Sequence, residues 1–280
     1  MSSNTYDPKE YWSRRLENRF NLRGAGSGCF DEQYNEWMYK MRKRVLDRII
    51  LMYKIDVSSV RILDIGCGTG FYVDIWRHKG ARYLTGIDIA GISVSKLKTR
   101  YPQFDFFEAD IASPSLINCL RLNQKKFDVV TAFDVLFHIV DDNKFEQAIK
   151  NISMLCSTNG FILITDIFPH KKPYTIHHQK SRLLQDYIRI LLNNDIKIIN
   201  RLPVHYLLNA PLDISSELLQ KILLHFWWQR FVVNVERKTH LLGPLFYLLD
   251  LVLTKSLKES PSTEMIVCKK VSRCQNYEKY

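Results

Sequence analysis

The stretch VRILDIGCGTGFYV, residues 60–73, constrains the chain more than any other. An apolar run stops at Asp64, and glycines follow at Gly66, Gly68 and Gly70. This is the pattern of a strand entering a glycine turn that opens a helix, where the backbone can approach a nucleotide closely. The dinucleotide fingerprint G-x-G-x-x-G places its third glycine on Phe71, so a nicotinamide-type site is disfavoured. No GK[ST] follows, which removes the Walker class of phosphate loop.

The surroundings of the turn alternate. Strand-like runs fall at 61–65, 83–88, 104–109, 127–133 and 160–166, with helical segments at 72–79, 92–101, 114–122 and 142–155 between them. Strands and helices of these lengths imply right-handed βαβ units and a parallel sheet covered on both faces. Ahead of them, DPKEYWSRRLENRF and DEQYNEWMYKMRKRVLDRIILMYK read as helices joined by a flexible glycine loop, LRGAGSGCF. A helix (SRLLQDYIRILLNN), a strand (DIKIINRLPVHYLL), an apolar helical stretch at 211–258 and a last strand, EMIVCKKV, follow; SRCQNYEKY reads as a tail.

Composition narrows the class. Of the 280 residues 46% are hydrophobic and 25% charged, as in ordinary globular enzymes. The polar start MSSNTYDPKE does not read as a secretory signal, and the six cysteines show no CxxC or metal-like spacing. A cytoplasmic protein with reduced thiols and no zinc site is expected. LLGPLFYLLDLVL is too short to span a bilayer and reads as a buried or interfacial helix. The net charge of +11 suits an anionic acceptor, nucleic acid, an anionic lipid surface, or simply a solvated basic surface. Its densest cluster, YKMRKRVLDR, reads as an amphipathic helix with a wet basic face.

Asp64, Gly66, Gly68 and Gly70 resemble, residue for residue, motif I, (E/D)xGxGxG, of the class I S-adenosylmethionine-dependent methyltransferases. The resemblance covers roughly residues 58–170. It implies an α/β fold with a seven-stranded, mostly parallel, doubly wound sheet whose last strand is antiparallel, and S-adenosylmethionine as cofactor. Asp88, in LTGIDIA, then stands where the family's acidic residue binds both ribose hydroxyls, and Ile89 where adenine packs. Asp110 stands where the adenine amino group is accepted, with Ile111 and Phe133 as further cofactor contacts. FDVVTAFDVLFHI is similar to motif IV of the small-molecule members. On this reading residues 1–57 form a helical cap, 58–272 the methyltransferase domain with a helical insertion at 211–258, and 273–280 a tail.

Methyl transfer to a hydroxyl requires alignment and a proton acceptor. His138, after the fourth strand, is the candidate general base, and Asp134, four residues earlier, the group that would orient it. His170, His177 and His178 read as a surface loop rather than a metal site, and no metal is expected. YWSRRLENRFNLRGAGSGCF is either a lid over the cofactor or a packing helix. Trp227, Trp228, Phe231, Phe246 and Tyr247 either line an acceptor pocket or form core. The expected partner is a small-molecule acceptor, amphiphilic or anionic, with peripheral membrane contact as one option. Nucleic acid is disfavoured because the NPPY and Pro-Cys signatures are missing. An RNA methyltransferase and a non-catalytic relative stay open as alternatives, and the oligomeric state stays open too.

Overall fold

A computed structural model of the protein describes residues 6–119, 126–214, 222–233 and 239–272. Three helices come first: α1 (Pro8–Asn18), α2 (Leu22–Ala25) and α3 (Glu32–Met52). Strands and helices then alternate: β1 (Arg61–Ile65), α4 (Phe71–His78), β2 (Tyr83–Asp88), α5 (Gly91–Arg100), β3 (Asp105–Glu108), α6 (Leu116–Cys119), β4 (Phe127–Phe133), α7 (Asp142–Leu155) and β5 (Cys156–Asp166). A short hairpin of β6 (Thr175–Ile176) and β7 (Gln179–Lys180) leads to α8 (Leu184–Asn193) and β8 (Ile196–Pro203). A π-helical segment (Ile222–Val233), α9 (Thr239–Ser256) and β9 (Glu264–Lys270) complete the described chain.

Local chemistry places the helix starts. Asp7 accepts the backbone N–H groups of Lys9 and Glu10 at 2.8 and 3.0 Å, with Pro8 as the first residue of α1. Asp31 caps α3 through the Tyr34 amide at 2.7 Å, and Asp141 caps α7 through that of Lys144 at 2.9 Å.

Seven strands pair in the order β3-β2-β1-β4-β5-β9-β8. The first five are parallel, and β9 runs antiparallel to both its neighbours. Side chains alternate between two cores, as the period of a strand requires. Met265 and Val267 of β9 join the cluster under α3 and α4, while Ile266 and Cys268 join that under α7 and α8. The strand order reverses beside β1, where β2 lies on one side and β4 on the other. That is where open α/β sheets bind ligands, at the carboxyl ends of the strands.

Three expectations are corrected. The glycine loop is not free: α2 forms within it, the Arg15 guanidinium bonds the carbonyls of Arg23 and Gly26, and Asn35 holds Ser27 from both sides. Helix α3 is core rather than cover, because Tyr34, Met38, Met41, Leu46 and Ile49 recur on its inner face and are buried. Its basic cluster is not uniformly wet either, since Arg42 is only 6% exposed. Of the helix expected at 114–122, only α6 lies within the described residues, and the 273–280 tail lies outside them. No described helix is long and apolar enough to cross a membrane.

Candidate active site

The glycine turn between β1 and α4 keeps all three glycines at positive φ: 69° at Gly66, 50° at Gly68 and 85° at Gly70. At Gly66 the requirement is also steric, because a Cβ there would stand 2.3 Å from Cγ2 of Val135. At Gly68 a Cβ would reach ordinary contact with the Ala25 Cβ at 3.7 Å, so there the positive φ, not crowding, is what favours glycine. Asp88 ties the turn to β2. Its Oδ2 accepts the Gly68 N–H at 2.7 Å and its Oδ1 the Ala90 N–H at 2.9 Å. Ser93 closes the ring by donating to the Gly68 carbonyl.

These elements surround a cavity of about 660 Å³. Gly66, Gly68, Asp88, Ile89, Asp110, Ile111, Phe133, Asp134 and His138 all line it. Asp64 and Gly70 are not in its wall. Asp64 is buried behind the turn, where Oδ1 accepts the Thr131 hydroxyl at 2.7 Å while burial raises its carboxyl to about 7. Burial also raises Asp88, against the pull of its amide donors. Asp110 accepts the Ala112 N–H at 2.8 Å, so it both shapes its own turn and faces the cavity.

The expected Asp134–His138 pair does not form. Asp134 stands at φ 58°, and its carboxylate goes to Arg42 at 2.8 Å and accepts the Thr165 hydroxyl at 3.0 Å. The four-residue spacing fails because Asp134 precedes the short 3-10 turn, Leu136–His138, instead of sitting on a common helix. The partner of His138 is a backbone group: its Nδ1 lies 2.9 Å from the carbonyl oxygen of His178. That carbonyl only accepts, so Nδ1 carries the proton and Nε2 keeps its lone pair. Burial lowers the ring to about 3.

The loop histidines are less detached than a surface loop implies. His178 stacks on Tyr11 at 4.9 Å, and Trp12 meets His138 edge-on at 4.8 Å. His170 does lie on the surface, joined to Asp213 at 2.6 Å. Of the insertion aromatics, Trp227 and Trp228 line a second cavity of about 430 Å³ with Leu223 and Leu253. Phe246 is core, Tyr247 packs on Trp37 of α3, and the side chain of Phe231 lies outside the described residues.

Of the segment read as either a lid or a packing helix, Trp12 and Leu16 line the main cavity; Tyr6, Lys9 and Glu108, which line it too, were not singled out from the sequence. Lys9 forms an ion pair with Glu108 at 2.6 Å. Glu108 had a signal, being the last residue of β3 at the carboxyl edge; Tyr6 and Lys9 had none.

Fold and site together define a class I, S-adenosylmethionine-dependent methyltransferase. Residues 34–210 match the methyltransferase domain family, more than half of the chain, and the chain belongs to that family. It is 32% identical over 143 residues to the mRNA cap guanine-N(7) methyltransferase of Schizosaccharomyces pombe, covering 49% of this chain and 38% of that protein. It is 24% identical over 119 residues to a ubiquinone biosynthesis O-methyltransferase of Neisseria meningitidis serogroup C, covering 42% of this chain and 49% of that protein. The chain thus spans half or less of the length of these curated relatives. Among solved structures, N-methyltransferase NodS from Bradyrhizobium japonicum, in complex with S-adenosyl-L-homocysteine, superposes with a TM-score of 0.55 at 13% identity over 94% of this chain and all of that one. Likeness at that identity speaks for the fold alone.

The residues present fit the cofactor of this class. The Gly66 and Gly68 backbone lines the cavity without side chains, and the buried hydroxyl of Tyr72 in its wall has no hydrogen-bond partner among the described residues.

His138 also makes a testable contribution to stability. Its folded pKa is depressed, so its stabilisation is complete above the unfolded value of 6.5 and drains away as pH falls toward about 3. Between about pH 6.5 and pH 4, wild type should lose on the order of 3 kcal/mol more than His138→Asn. The raised carboxyls Asp64, Asp166 and Asp250 act with the opposite sign but equally in both proteins, so they cancel in the comparison. Urea titrations of the two proteins across that range read the difference, and parallel curves would refute it.

Proposed function

We propose that this protein transfers a methyl group from S-adenosylmethionine to a hydroxyl of a small acceptor. In this reading Asp88 holds the ribose hydroxyls, Asp110 the adenine amino group, and Ile89, Ile111 and Phe133 the adenine faces. The Gly66–Gly70 turn lies against the rest of the cofactor, with Asp64 supporting it from behind. The bound cofactor supplies an electrophilic methyl group. The chain supplies alignment and a proton acceptor.

The observation that carries the proposal is His138 in the wall of the same cavity, with Nδ1 committed to the His178 carbonyl and Nε2 free to accept. A ring kept neutral down to about pH 3 leaves Nε2 open as a hydrogen-bond acceptor throughout the physiological range, while the same burial makes it a weak base until the acceptor hydroxyl is bound against it. It would orient the acceptor hydroxyl and receive its proton as the O–C bond forms and the sulfonium S–C bond breaks, with S-adenosylhomocysteine as the leaving group. Tyr6 and Trp12 give the acceptor an aromatic wall, and Lys144 a counter-charge if it is anionic.

Transfer of labelled methyl to a panel of phenolic and carbohydrate hydroxyls tests this directly. With a true acceptor, His138→Ala should lower kcat about a hundredfold with little change in the cofactor Kd. Near-normal turnover in that variant would overturn the assignment.

A second reading, methylation of a nucleobase nitrogen, draws on the cap guanine-N(7) relative and on the +11 charge. A ring nitrogen with a lone pair needs no base, so His138→Ala would then leave turnover intact. Methyl would appear on RNA, with binding that falls steeply with salt.

A further inference from the structure

Helix α9 is apolar on both its core side and its solvent side. Its inward row is Gly243, Phe246, Asp250 and Thr254, all buried, with the Asp250 carboxylate accepting the amides of Tyr206, Leu207 and Leu208. Its outward row is Leu241, Leu245, Leu248 and Val252, which are 61, 50, 60 and 63% exposed. Leu249 widens that face. Water-facing helices of globular proteins place polar residues on this side, so an exposed apolar face on a helix whose other side already packs on the core marks a contact surface.

The charges around the face select the partner. Helix α3 packs alongside and sets a row of exposed cations next to it. Lys40 lies over the Trp37 ring, Arg44 Nε donates to the Tyr247 hydroxyl at 2.6 Å, and Arg48 reaches the Thr254 carbonyl at 3.5 Å. Lys255 and Lys258 stand exposed at the other end. The only acid within α9 is Asp250, turned inward and occupied. Exposed Lys40, Arg44, Arg48, Lys255 and Lys258 outweigh the exposed Glu36 and Glu259 around this face, so an anionic surface would complement it. Aromatic residues, Trp37 and Tyr247, sit between the apolar row and the cations, the order found in helices that lie in a membrane interface.

We propose that the α9 face, with the α3 cations beside it, docks the protein onto an anionic lipid bilayer. The apolar row enters the acyl boundary and the Lys and Arg rim meets the headgroups. The helix lies in the plane of the interface and does not span it. This inference is independent of the acceptor chosen above.

Co-sedimentation of the full chain with vesicles tests it, comparing phosphatidylcholine mixed with phosphatidylglycerol against phosphatidylcholine alone. The protein should pellet with the anionic vesicles and much less with the neutral ones. Leu248→Glu/Val252→Glu should weaken binding at least about tenfold, and Lys255→Gln/Lys258→Gln about tenfold with a shallower salt dependence. If the glutamate variant lowers the melting midpoint, the lysine variant, changed only at exposed positions, decides. A wild type that stays in the supernatant, or binding that neither variant weakens, overturns the proposal. So does a dimer in sedimentation equilibrium that Leu248→Glu dissolves, which would assign the face to a second copy.

Discussion

Replacing Arg42 with methionine should destabilise the protein by about 3 kcal/mol or more, a large fraction of what holds a domain of this size together. The guanidinium is buried, pairs with Asp134 at 2.8 Å and stacks over the Tyr39 ring at 4.7 Å. Removing it leaves a carboxylate at the cavity edge supported, among the described residues, by the Thr165 hydroxyl at 3.0 Å. Asp134→Asn alone should also be costly, because it strands a buried cation whose Nε and Nη1 lack partners among the described residues. The double variant Arg42→Met/Asp134→Asn should recover much of the loss. Methionine fills the site without a charge, and asparagine tolerates the φ of 58° at that position. Urea midpoints for the four proteins give the coupling directly. Additive single costs, or an Arg42→Met cost below about 1 kcal/mol, would mean the pair is not the lock described. Because Asp134 lies between Phe133 and Val135 in the cavity wall, the same variants should also loosen cofactor binding.

Arg42 also shows where reading the chain fails. A cation amid Lys40, Lys43 and Arg44 reads as solvated, since helical period sorts residues by face but does not reveal what the opposite element carries. The burial of Arg42 depends on Asp134, far away in sequence and held in a left-handed conformation. The same blindness paired Asp134 with His138, a spacing that only works on a continuous helix. By contrast β1, β2 and β4 were legible to the residue. Fully buried parallel strands are continuous apolar runs, and here each ends on a glycine, an acid or an aromatic at the cavity. The cavity wall from Gly66 to Phe133 was legible for the same reason: those residues follow strand ends. The α1 wall was legible only as one of two alternatives, a lid or a packing helix, because a helix docked across the strand ends carries no period that points to a ligand. In α9 the leucines read as a buried or interfacial helix, and only the packed structure, with Asp250 facing inward, shows which side they occupy.

Asp88→Ala should abolish measurable S-adenosylmethionine binding, a loss on the order of a hundredfold or more, as expected when a charged hydrogen-bond acceptor is removed from a buried site. Two effects add. The carboxylate offers remaining lone pairs to two neighbouring hydroxyls, and it already fixes the amides of Gly68 and Ala90, so alanine removes the contact and releases the turn together. Asp88→Asn separates them. The amide keeps one oxygen for one of the two backbone donors, so the turn should survive largely intact. It loses the negative charge and half the acceptors, so affinity should still fall by about tenfold. Calorimetric titration with S-adenosylmethionine and S-adenosylhomocysteine, beside NAD as a ligand that should not bind, reads all three proteins. A graded order of wild type, Asn and Ala assigns Asp88 to the ribose. If Asn binds like wild type while Ala fails, Asp88 serves the turn alone, and the ribose contact passes to another acid of the same wall, with Glu108 first in line.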